Sequence, residues 1–137
     1  MNDHWEITGK IVNGIKQGAF FTQLAWVHEQ SLIKLGFKLF PGTLNLEIPD
    51  ESVTMIEKLT LQAVIELVPP DSNFCSGYVF PVSVGGISGA IVAPAEEFRV
   101  HRKNIIEIIS HVRLKDALGL DDGDWVTLKF DRSLLEK

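Results

Sequence analysis

Phe40-Pro41-Gly42-Thr43-Leu44-Asn45-Leu46-Glu47-Ile48 is the stretch that most constrains the fold. Pro-Gly turns a chain and does not continue a helix. From Thr43 to Ile48 polar and apolar residues alternate with period two, the pattern of a strand with one face on a core. Thr43 and Asn45 share one face of that strand, a hydroxyl and an amide oxygen one repeat apart.

Further strands are expected at Trp5 to Val12, Leu61 to Val68, Tyr78 to Val84, Ala90 to Ala93, Asn104 to Ser110 and Trp125 to Phe130, several separated by Gly or Pro. Three helices are expected: Leu24 to Leu35 before Gly36, Ser52 to Leu59 behind Asp50, and Val112 to Leu118 before Gly119. Strands dominate without a βαβ rhythm, and Pro69 to Asn73 reads as a surface loop. Such a mainly β chain hides its strand edges best by closing on itself, so a barrel is preferred over a sandwich.

At 137 residues and 45% hydrophobic composition, the chain supports one core, and residues 1–137 are read as a single domain. A formal charge of −5 opposes a phosphate backbone, which argues against nucleic-acid binding. The lone Cys75 allows no intramolecular disulfide, and no Cys/His spacing suits zinc. The first residues lack an apolar signal core, and no apolar run approaches the roughly 18 residues that span a bilayer. The expectation is a soluble, cytoplasmic monomer without a membrane partner.

Several segments carry chemistry. Gly14-Ile15-Lys16-Gln17-Gly18-Ala19-Phe20 follows the first strand, where glycines let backbone N–H groups face a phosphate; an ordinary turn has the same composition. Thr43 and Asn45 offer hard oxygens suited to Mg²⁺, which takes its remaining ligands from water and substrate phosphates; a solvated strand face is the alternative. Glu107 stands alone among four isoleucines in Ile105-Ile106-Glu107-Ile108-Ile109. Desolvation there would raise its pKa toward the range of a general base, unless it lies on an edge strand facing water. His111 to Asp124 reads as a short basic-then-acidic helix and a glycine-containing turn that either meets a nucleotide or serves as a connector, with Asp121-Asp122-Gly123-Asp124 a turn before the last strand. The basic cluster Arg99, His101, Arg102 and Lys103 reads as a solvated loop more readily than as a phosphate site.

In this order and spacing, six elements resemble the archaeal-type CTP-dependent riboflavin kinases: Gly14 to Phe20, Gly42 to Leu46, Gly89 to Pro94, Ile105 to Ile109, Arg113 to Lys115, and Leu120 to Asp124. The resemblance runs from about residue 7 to residue 130. It implies a six-stranded cradle-loop β-barrel with a few short helices. The implied activity is transfer of the γ-phosphoryl group of CTP to the ribityl 5′-hydroxyl of riboflavin, giving FMN and CDP, with Mg²⁺ as the metal. By the same resemblance Gly14, Ile15, Lys16, Gln17, Gly18, Ala19 and Phe20, together with Arg113, Leu114, Lys115 and Asp116, would bind the nucleotide. Thr43 and Asn45 would hold the metal, and Arg99 and Glu107 would lie at the flavin end. From its apolar setting, Glu107 is also the candidate base. Two positions depart from the family pattern: Lys16 replaces a loop glycine, and Arg99 replaces a small hydroxyl residue. They keep open a flavin- or nucleotide-binding module, or a kinase with another hydroxyl acceptor.

Overall fold

The computed structural model describes residues 4–13, 23–62, 65–68, 77–94 and 104–131. Among them seven antiparallel strands form one sheet: β1 (His4–Val12), β2 (Leu44–Glu47), β3 (Ile65–Leu67), β4 (Gly77–Val84), β5 (Ile87–Pro94), β6 (Ile105–Ser110) and β7 (Trp125–Asp131). The helices are α1 (Ala25–Leu35), α2 (Asp50–Gln62) and α3 (Leu114–Leu118). Neighbours run β3-β4-β5-β6-β2-β1-β7, and β4 pairs again with β7. Six strands therefore close into the expected barrel, and β3 is an outrigger on β4.

The closing seam depends on one edge of β4 serving two partners. Gly77 to Val79 pair with β3, whereas Ser83 and Val84 pair with Lys129 and Leu128 of β7. Pro81 falls between, where that edge makes no pairing and its missing N–H is tolerated. Val84 and Ile87 are then joined by the two-residue Gly85-Gly86 loop, with φ of 57° and 87°. Positive φ at both positions is what a type I′ hairpin requires, and glycine adopts it without strain.

Alternate side chains fill the barrel: Ile7 and Ile11 from β1, Leu44 and Leu46 from β2, Phe80 from β4, Ile106 and Ile108 from β6, and Leu128 and Phe130 from β7. The Phe80 and Phe130 rings meet at 6.2 Å. The opposite face of β5 and β6 is also apolar, because α1 covers it: Val27 packs with Leu39, Ala90, Val92 and Ile109 in a second cluster. Polar bonds fasten α1 to the outrigger. The Val68 amide donates to Gln30 Oε1 at 2.7 Å, Gln30 Nε2 donates to Val68 O at 2.5 Å, and Lys34 Nζ donates to Glu66 O at 2.6 Å. Side chains thus satisfy backbone groups beside β3, the kind of covering that keeps a sheet edge from recruiting another strand.

The largest departures from the expected element boundaries fall at two places. Leu61 and Gln62 complete the last turn of α2, so the strand expected from Leu61 to Val68 shrinks to Ile65–Leu67. Both residues are good helix formers, and helix propagation past Leu59 outweighs the β-propensity of the apolar run. Conversely, β5 begins at Ile87 rather than Ala90, because the hairpin loop pairs Ser88 with Ser83 before the apolar run starts. The expected Pro69 to Asn73 loop lies outside the described residues. No helix among the described residues is long and apolar enough to cross a membrane.

Among the strand glycines described, Gly89 makes the tightest approach. A Cβ there would stand 2.8 Å from the carbonyl oxygen of Ile109, and backbone yields less readily than a side chain. Gly89→Ala is therefore expected to lower stability by about 2 kcal/mol through overpacking. Urea unfolding checks this, and an unchanged midpoint would mean that β5 and β6 are not so close.

Candidate active site

Because β2 and β6 pair in register, Leu44 lies opposite Ile108 and Leu46 opposite Ile106, all four inside the barrel. The alternate positions must face outward, and Asn45 lies directly opposite Glu107. Such partners carry Cβ atoms about 5 Å apart on the same face. The row extends in both directions, with Val12 of β1 beside Asn45 and Val92 of β5 beside Glu107. Thr43, just before β2, donates from Oγ1 to Glu107 Oε1 over a long 3.4 Å. A hydroxyl, an amide and a carboxylate thus meet on the outer wall, and Asn45 is only 9% exposed.

This arrangement resolves the carboxylate among isoleucines. Ile106 and Ile108 point into the barrel, Ile109 packs under α1, and half-buried Glu107 borders that outer apolar cluster. The edge-strand explanation fails, since β6 is paired on both sides, with β2 and β5. A carboxylate in this position has polar company from β2 and apolar company from β5.

A cleft of about 120 Å³ opens beside the trio. One wall is the turn from Phe40 to Leu44; the other is Val112 to Lys115 at the start of α3, with Ile108 and Ser110 between. Thr43 belongs to both cleft and trio. Arg113 and Lys115 bring positive charge, held in place by Arg113 Nη1 to Asp116 Oδ1 at 2.6 Å and by Lys115 Nζ to Asp122 Oδ1 at 2.5 Å. Leu114, between them, is 4% exposed and plugs the barrel core. Below α3, Asp121 to Asp124 forms the expected turn: the Asp121 amide donates to Asp124 Oδ2 at 2.8 Å, and the Gly123 amide donates to Ile11 O at 2.8 Å.

A family model named for CTP-dependent riboflavin kinase, with the description Domain of unknown function DUF120, matches residues 11–130. The chain belongs to this family. It is 37% identical over 128 residues to a riboflavin kinase of Archaeoglobus fulgidus, covering 90% of this chain and 54% of the relative. With a riboflavin kinase of Thermococcus kodakarensis, identity is 38% over 133 residues, covering 90% and 57%. With that of Methanosarcina barkeri it is 32% over 133 residues, covering 95% and 58%. The chain therefore spans rather more than half the length of the curated relatives it matches.

Within the CTP-dependent riboflavin kinase family frame, the residues expected to matter divide into three groups. Thr43, Asn45 and Glu107 come together, although the sequence suggested separate metal and flavin ends. Arg113 and Lys115 line the adjoining cleft, while Leu114 serves the core and Asp116 holds Arg113. Gly14 to Phe20 and Arg99 lie outside the described residues; the chain leaves β1 at Val12, the register neighbour of Asn45. Ser110 enters the cleft lining without any sequence signal, at the end of β6, and Val112 joins it from the segment that follows. Buried Ser110 donates from Oγ to Ser88 O at 2.7 Å.

The donor set fits a hard cation. Among the described residues no group of three or more His, Cys, Asp or Glu side chains could hold a metal. Mg²⁺, by contrast, is content with few protein oxygens when water and phosphate complete its octahedron. Asn45 and Thr43 would supply neutral oxygens, with Glu107 as the charged neighbour.

Two substitutions should separate cleft chemistry from folding. Arg113→Ala removes a solvent-exposed ion pair and is expected to change stability by less than about 1 kcal/mol. Leu114→Ala empties a buried site and is expected to cost about 3 kcal/mol. Thermal melting of both variants checks this contrast, which equal losses would contradict.

Proposed function

We propose that this domain transfers the γ-phosphoryl group of CTP to the ribityl 5′-hydroxyl of riboflavin, yielding FMN and CDP. The observation that carries this reading is the convergence of Thr43, Asn45 and Glu107 on one outer-wall row, beside a cleft flanked by Arg113 and Lys115. Family membership supports this choice of substrates, since the curated relatives are named riboflavin kinases and the family name includes CTP.

In this scheme the riboflavin hydroxyl oxygen attacks the γ-phosphorus, the bond from phosphorus to the β,γ-bridging oxygen breaks, and CDP leaves with that electron pair. Glu107 accepts the hydroxyl proton, and the Thr43 hydroxyl orients its carboxylate. Asn45 and Thr43 would hold Mg²⁺, which when bound neutralises phosphate charge. Arg113 and Lys115 draw the polyphosphate into the cleft, while the apolar border at Val92 and Ile109 limits water around Glu107. Phosphoryl transfer needs chiefly positioning and charge neutralisation, so a small set of groups suffices.

The test is FMN formation from riboflavin and Mg²⁺ with CTP or ATP, followed by chromatography. FMN is expected with CTP and not with ATP; ATP working equally well would overturn the donor, and no FMN with either would overturn the kinase. Glu107→Gln is expected to lower kcat at least ~100-fold while CDP affinity stays within about threefold. Undiminished turnover would remove Glu107 from the chemistry. Thr43→Val and Asn45→Leu are each expected to raise the Mg²⁺ concentration for half-maximal rate about tenfold, and an unchanged Mg²⁺ dependence would refute their role as ligands.

A further inference from the structure

Phe40 is a partly exposed aromatic side chain that lines the cleft. Of the aromatic residues around the barrel, Phe80 and Phe130 are fully buried, Phe37 packs against the His111 ring at 5.9 Å, and Trp125 is exposed on β7 away from the cleft lining. Phe40 keeps 38% of its surface exposed and lines the cleft opposite Arg113 and Lys115.

The ring is also preorganised. The Phe40 amide donates to Ser110 O at 2.9 Å, which ties the residue to the end of β6. Pro41 fixes the next φ. At Gly42 the closest approach to a notional Cβ is Phe40 Cε1 at 4.0 Å, so the ring edge lies over the turn. A ring already held in one place loses little freedom when a flat partner settles on it.

We infer that Phe40 is the stacking platform for the nucleobase of the phosphoryl donor. This rests on the reading of the cleft as a nucleotide site. Every nucleobase offers a π-face to an aromatic ring, and the neighbouring cations suit the phosphates of the same molecule. The order along the cleft follows: base at Phe40, phosphates toward Arg113 and Lys115, and the transferred group at Thr43, where the cleft meets Glu107. A flavin has a planar heteroaromatic ring too, so the test must tell the two substrates apart.

Calorimetric titration of the full chain in Mg²⁺ provides that test, with CDP, inorganic pyrophosphate and riboflavin as separate probes. Phe40→Leu, which keeps bulk and apolarity but removes the ring, is expected to weaken CDP about tenfold and to leave pyrophosphate and riboflavin unchanged. Phe40→Tyr is expected to bind CDP within about twofold of the parent, which a merely space-filling role would not predict in combination with the Leu loss. The inference is overturned if Phe40→Leu binds CDP normally, if CDP and pyrophosphate weaken alike, if riboflavin alone weakens, or if the parent does not bind CDP. Phe40-dependent CDP binding without FMN formation would sustain it while removing the kinase reading.

Discussion

Leu44 and Leu46 of β2 and Ile106 and Ile108 of β6 are all essentially inaccessible inside the barrel, and they leave only one register for these two strands. Side chains alternate along a strand, so slipping one strand past the other by a single residue would turn its apolar set outward and drive Asn45 or Glu107 into the core. An unpaired carboxylate there would cost far more than the pairing returns. The core thus dictates that the amide and the carboxylate meet on the outer wall. The alignment of Asn45 with Glu107, 62 positions apart in sequence, is thus a by-product of barrel packing.

The outer wall is not uniformly wet, because α1 lies over β5 and β6 and makes Ala90, Val92 and Ile109 a second core. Gln30 and Lys34 anchor α1 through backbone groups of Val68 and Glu66, beside the apolar packing of Leu67 and Ile65 in the same cluster. Glu107 therefore stands at a boundary, with apolar cover on its β5 side and the polar face of β2 on the other. Proton transfer and charge neutralisation both gain from such a boundary, since partial exclusion of water strengthens the local electrostatics.

Much of this was legible before any coordinates. Alternation after Pro41-Gly42 reveals β2, and the isoleucine-flanked Glu107 stands out because a charge in such a run needs a reason. The sequence could not show that Thr43, Asn45 and Glu107 come together on one face, because cross-strand register depends on long-range packing that local pattern does not encode. It likewise gave Phe40 no role, since only the cleft shows that its ring remains exposed. The end of α2 was misplaced for a related reason: Leu61 and Gln62 fit a helix or a strand, and the helix already running through Leu59 captured them. Gly14 to Phe20 and Arg99 remain expectations of the sequence.

Paramagnetic relaxation by Mn²⁺, substituted for Mg²⁺ in the presence of CDP, tests most directly whether the β2–β6 register builds the phosphoryl-transfer site. In amide-resolved spectra the account predicts the strongest broadening at the Asn45 side-chain amide and at the backbone amides of Thr43 and Glu107. Broadening centred instead on the acidic turn from Asp121 to Asp124, with Asn45 unaffected, would contradict it.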